Sequence, residues 1–204
     1  MYAALVAWLT LTLAAPPPVP PGSPRSRTAL DLCHQAGALA DDAPGKAAQL
    51  DAAVAAAEEA VAGDDGDPLA HFALFCALGQ RMRHTGVAFS SLMGLRRARR
   101  EIDRTLELAP DFSDAIYGKA ALLMQTPGLL GGDVKEGERL LRRTLELDPE
   151  YVKPRLDLAR ALADRGERTE ARTQAERALA IAEGKGDAAD VAAARALLDR
   201  LPAE

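Results

Sequence analysis

Apolar residues recur at three- and four-residue intervals along most of this chain, in blocks cut by glycine, proline and acidic turns. The first block predicts a helix from Thr28 to Ala40, with Leu30, Cys33 and Leu39 apolar; Asp41-Asp42-Ala43-Pro44-Gly45 ends it. Lys46 to Ala62 predicts a second, alanine-rich helix closed by Gly63. After the turn cluster Asp64-Asp65-Gly66-Asp67-Pro68, a third runs from Leu69 to Arg83 and carries Phe72, Phe75 and Leu78. His84 to Ser91 reads as an irregular connection. A fourth helix, Leu92 to Leu108, stops before Pro110; a fifth starts at Ser113, the expected N-cap, and stops before Pro127. The sixth opens at Asp133, which stands to Glu136 as in a capping box, and ends before Pro149. Val152 to Asp164 and Thr169 to Glu183 follow, separated by Gly166, and Ala188 to Leu201 should close the stack. Val, Ile and aromatics are scarce beside Ala and Leu, which favours helix over strand.

The blocks repeat. Arg104-Thr105-Leu106-Glu107-Leu108-Ala109-Pro110-Asp111-Phe112 returns as Arg143-Thr144-Leu145-Glu146-Leu147-Asp148-Pro149-Glu150-Tyr151, 39 positions on. A fainter copy, Arg177-Ala178-Leu179-Ala180-Ile181, comes 34 positions after that. A period of this size means stacked helix pairs, in which each unit buries its apolar face against the next.

On these residues the chain resembles the tetratricopeptide-repeat family. The best copy begins at Val152, with Leu158, Ala159, Leu162, Ala171, Ala175 and Ala178 where its helices touch and Gly166 in its turn. The copy at Ser113 matches through Ile116, Ala120, Leu123, Leu141, Leu145 and Pro149. It departs from the family pattern at Lys119, where an apolar residue is usual, at Gly137, where Ala is usual, and by five residues inserted in its turn. The pair over residues 28–63 matches least. The resemblance implies an all-α, right-handed α-solenoid of about four helix pairs with a C-terminal capping helix.

Residues 1–15 are apolar and too short to span a bilayer, which needs about 20 residues. They read as a signal-peptide-like segment lacking a basic start, with Leu13-Ala14-Ala15 as the cleavage site. Residues 16–27 read as a Pro-rich linker and 28–204 as the solenoid. An exported chain, periplasmic or secreted, with no integral span after cleavage is expected; without cleavage it is cytoplasmic. The formal charge of −5 argues against a nucleic-acid partner. In an exported chain Cys33 and Cys76 can bridge, since they fall on the first helices of successive pairs; otherwise they are two apolar thiols.

Candidate chemistry is thin. His34, His71 and His84 have no metal-ligand spacing, Ser90-Ser91 lacks a nucleophile-elbow pattern, and Asp64-Asp65-Gly66-Asp67 lacks the ligands of a calcium loop and reads as a solvated turn. No metal, cofactor or enzymatic activity is expected. Cys76 beside a histidine would reopen the question. The arginine clusters Arg96, Arg97, Arg99, Arg100, Arg104 and Arg139, Arg142, Arg143 alternate with acids and read as an ion-paired outer face, with docking of an acidic partner or anionic headgroups as the alternative.

By position in the family, first helices line the concave surface. The resemblance therefore implies a partner-binding set of Asp114, Tyr117, Gln125, Lys153, Leu156 and Arg160, joined by His71 and Arg81 from the pair before. Such a mix suits an extended peptide or chain terminus. The expected function is a non-catalytic adaptor. The turn Gly131-Gly132-Asp133, with Leu129 and Leu130 expected to tuck against the stack, is also similar to one in the accessory subunit of tripartite periplasmic transporters; that alternative implies an enclosed ligand pocket.

Overall fold

A computed structural model describes residues 19–85 and 90–201. The signal-like residues 1–15, the start of the Pro-rich spacer, and residues 86–89 of the irregular connection lie outside the described residues. Among the described residues there is no strand. The helices are α1 Pro24–Ala38, α2 Lys46–Gly63, α3 Pro68–Thr85, α4 Ser90–Leu108, α5 Ser113–Gln125, α6 Val134–Leu147, α7 Val152–Asp164, α8 Arg168–Lys185 and α9 Ala188–Leu198. Successive helices pair as hairpins, α1 with α2 through α7 with α8, and α9 covers α8 and α7. This is the α-solenoid expected of stacked helix pairs.

The largest boundary correction is at the start. The first helix begins at Pro24, not Thr28. Ser23 is its N-cap, with Oγ accepting from Ser26 N at 3.1 Å. Proline is favourable at the first helical position, where its missing N–H has no partner to lose and its φ is already helical. The acidic turn before α3 is the second correction. Asp67 is 4% exposed, not solvated. Its Oδ2 accepts from Ser23 N at 2.8 Å and its Oδ1 from Leu69 N at 2.9 Å, so one carboxylate caps α3 and ties down the start of α1.

The repeated motif has the same mechanics in both copies. Thr105 and Thr144 are fully buried, and each hydroxyl donates to the carbonyl four residues back, Glu101 O and Leu140 O, both at 2.9 Å. Ala178 holds the corresponding place in the third copy and is also fully buried. Arg104 bonds Glu107 one turn on (3.2 Å) and Asp65 in the preceding turn (3.3 Å); Arg143 does the same with Glu146 (3.2 Å) and Asp111 (3.0 Å).

Two apolar clusters run through the stack. One joins α1 to α4 with Phe112 and Ala115; the other runs from Ile116 to Leu201. Leu106 packs against both. The adjacent residues Ala115 and Ile116 of α5 belong to different clusters.

The departures from the family pattern have local causes. Lys119 is in a pair with Asp103 of α4 at 2.7 Å. A Cβ on Gly137 would lie 2.4 Å from Met124 Cγ, so α5 and α6 cross too closely for alanine without a shift. In the insertion only Gly131 takes a positive φ, 85°. Gly132 is needed for space instead, since a Cβ there would come 1.7 Å from Thr126 O. Asp133 Oδ1 accepts from Glu136 N at 3.0 Å. The capping box is only half made, because Glu136 turns to Arg139 while Asp133 N donates to Leu123 O. Ser113 is the first residue of α5, and Phe112 is the cap without a side-chain bond. Leu129 and Leu130 do not tuck in. Leu129 is fully exposed and Leu130 40% exposed, both in a 3-10 turn, Gly128–Leu130.

Candidate functional site

The first helices α5 and α7, with the residue that caps α7, bring a set of polar and aromatic side chains together. The Tyr117 hydroxyl donates to Asp157 Oδ2 at 2.9 Å, and Arg160 Nη1 donates to Asp157 Oδ1 at 2.6 Å. The Tyr117 and Tyr151 rings meet edge to face, centroids 5.4 Å apart. Burial, and next the nearby Asp157 carboxylate, push the Tyr117 hydroxyl well above its ordinary pKa. Burial, and next the Asp114 carboxylate of α5, do the same to Tyr151. Both rings are therefore neutral, half-buried hydrogen-bonding groups through the physiological range.

Of the eight residues implied by position, the structure brings Asp114, Tyr117 and Arg160 together. Lys153 is exposed and shares the α7 face of Asp157 and Arg160, at the four- and seven-residue spacings of one helical side. Gln125 is exposed at the far end of α5. The other three belong elsewhere. Leu156 is 2% exposed and packs in the second apolar cluster, because its position turns inward while Asp157 turns outward. His71 is 3% exposed, with Nδ1 2.7 Å from Glu101 Oε2 of α4 and Nε2 3.0 Å from Asp65 O; it joins α3 to its own partner helix and is closed to any ligand. Arg81 turns to Asp51 of α2, 3.5 Å away.

Two members of the cluster, Tyr151 and Asp157, are not among the implied residues. Tyr151 could have been found from the repeat, since its counterpart Phe112 is buried against Phe72 (centroids 4.8 Å) and a hydroxyl at that position needs a partner. Asp157 carries no such signal beyond lying beside Leu156.

On α4 and α6 the arginines are mostly paired. Arg97 reaches Glu58 of α2, Arg142 reaches Glu138 and Glu170, and Arg165 also holds Glu138, whose side chain is 9% exposed. Arg96 and Arg100 are exposed and make no ion pair among the described residues. Cys76 is partly exposed, and its neighbour is Cys33 of α1 rather than a histidine.

Residues 129–198 match the family model described as tetratricopeptide repeat. No curated protein matches the sequence. Among solved structures, the chain is similar to TTC0263, a thermophilic tetratricopeptide-repeat protein of Thermus thermophilus, at 17% identity and a TM-score of 0.55, covering 86% of this chain and 91% of that one. It is also similar to MamA, residues 41 to the end, of Desulfovibrio magneticus RS-1, at 14% identity and a TM-score of 0.51, covering 88% and 96%. Those identities speak for the fold alone. Repeat motif, hairpin order, family match and structural likeness agree: residues 129–198 match the tetratricopeptide-repeat family, and the described chain has the fold of tetratricopeptide-repeat proteins.

Proposed function

We propose that the protein is a non-catalytic adaptor that holds an extended peptide or chain terminus against α5 and α7. The observation that carries this reading is the Tyr117–Asp157–Arg160 chain with Tyr151 packed edge-on to Tyr117. It fixes two aromatic rings in place before any ligand arrives, so little side-chain entropy is left to lose on binding. Lys153, exposed and without a polar partner among the described residues, and Arg160 supply donors for a carboxylate or peptide carbonyl. Export behind residues 1–15 is part of the same proposal.

The test is partner capture by the immobilised full chain, followed by titration of the recovered partner. The Tyr117→Ala/Arg160→Ala double variant should lose the partner, while Arg96→Ala/Arg100→Ala on the outer side should keep it. Unchanged recovery by the first variant would remove the groove assignment. A thermal midpoint raised by a small metabolite, with no protein captured, would favour a transporter accessory subunit instead. Sequencing the mature N-terminus checks export, which an intact Met1 contradicts.

A further inference from the structure

Helices α1 and α3 run side by side at an offset of 43 to 44 positions. Near their starts, Ser23 N donates to Asp67 Oδ2, 44 positions on. Further along, Gly37 lies under the Gln80 side chain, where a Cβ would come 2.1 Å from Gln80 Nε2, 43 positions on. One turn before that contact on each helix stand Cys33 and Cys76, also 43 positions apart. The register therefore sets the two thiols face to face across the α1–α3 contact. Cys33 is fully buried, and Cys76 is partly exposed and packs against the same apolar cluster.

We propose that Cys33 and Cys76 form a thiol–disulfide site, closed by a small-molecule or protein disulfide and stapling α1 to α3. This goes beyond the adaptor reading and does not depend on it.

The electrostatics around the pair favour the chemistry. The neighbouring Cys76 thiol, helped by Arg83 and Gln80 and opposed by burial, lowers Cys33 below its ordinary pKa. Cys33, and then burial, raise Cys76. The pair thus gives up its first proton readily and holds its second, the arrangement of a reactive dithiol.

Access sets the order of events. The pair gives up its first proton from Cys33; the proton left on Cys76 then crosses to Cys33, and the partly exposed Cys76 sulfur, now the thiolate, attacks one sulfur of a reagent disulfide R–S–S–R. The reagent's S–S bond breaks, and one R–S⁻ leaves and takes up the proton that the pair first released. Cys33 then loses its proton and attacks the Cys76 sulfur of the mixed disulfide. The Cys33–Cys76 bond forms and the second R–S⁻ departs and is protonated. Two protein thiols are oxidised by two electrons, and one reagent disulfide is reduced to two thiols.

The bond would close a long loop containing all of α2, so it should restrict the unfolded chain and raise the thermal midpoint. The test treats the full, reduced chain with oxidised glutathione under native conditions and digests it without reductant. The expected results are a peptide joining Cys33 to Cys76, loss of two hydrogens from the intact mass, and a midpoint several degrees above that of the reduced chain. Cys33→Ser should stop at a single glutathione adduct on Cys76, and Cys76→Ser should show no oxidised–reduced difference in midpoint. A stable Cys76 adduct in the wild-type chain, a disulfide-linked dimer, or a bridge that forms only in urea would each overturn the proposal. The wild-type readings stand even if a variant fails to fold.

Discussion

Tyr117 of α5 gives its hydroxyl hydrogen to Asp157 of α7 at 2.9 Å, a polar link directly between first helices of successive pairs. It connects the stability of the stack to the shape of the proposed binding face. Tyr117→Phe should cost about 1 kcal/mol in chemical denaturation, the ordinary net value of one such bond, and leave Asp157 held by Arg160 alone. A denaturation midpoint unchanged from wild type would show that the bond does not persist in solution.

The same environment predicts an alkaline limit. Tyr117 and Tyr151 both bind their protons more tightly folded than unfolded. Their contribution is complete below the unfolded value of about 10 and fades as pH rises towards the folded values. Phenolate absorbance should therefore lag behind that of free tyrosine and then rise together with the loss of helical signal. Smooth titration of these two rings near pH 10, about the value of free tyrosine, with the helices intact would contradict their burial.

Thr144 tests the repeat. Its hydroxyl donates to Leu140 O, and the third copy has Ala at the same place. Thr144→Ala should cost about 1 kcal/mol or less, since it removes a small group and its bond together. Thr144→Leu should cost about 1–3 kcal/mol by overpacking. Equal tolerance of both in thermal melts would mean that α6 is not pressed tightly against its neighbours.

His71 separates packing from recognition. His71→Ala strips a buried ring from Glu101 and Asp65 O and should destabilise the chain by about 1–3 kcal/mol, with partner affinity unchanged in the folded fraction. An affinity loss without a stability loss would return His71 to the groove.

Asp67 gives an acid limit. Burial pushes this carboxyl up, but hydrogen bonds from Ser23, Ser26 and Leu69 outweigh it and hold the group below its ordinary value. Its contribution is therefore present above the unfolded value of about 4 and is lost as pH falls through the folded value. Asp67→Asn keeps an amide oxygen to accept from Leu69 N but sets an NH2 group against Ser23 N; it should lower stability at neutral pH by about 1–3 kcal/mol, as for an unmet buried donor, and make acid unfolding less steep. Parallel acid curves for variant and wild type would assign that steepness to other carboxylates.

The helices are legible in the sequence because proline, glycine and acidic turns punctuate a regular apolar period; Val152–Asp164 stands where periodicity puts it. Side-chain direction is less so. Leu156 and Asp157 are neighbours about 100° apart on α7, so a family position carried over one residue out lands on a core leucine instead of the exposed side. The bond between Asp67 and Ser23 leaves no trace in local pattern because it joins segments 44 positions apart. Leu129 reads as core on its character alone, whereas the turn needs only the two glycines that follow Leu130.

Ala115 and Ile116 answer to different halves of the molecule although one peptide bond joins them. Helix α5 is thus a keystone. Melting either half would withdraw support from the helix that carries Asp114 and Tyr117, so partial unfolding at one end should disturb the proposed binding face in the middle.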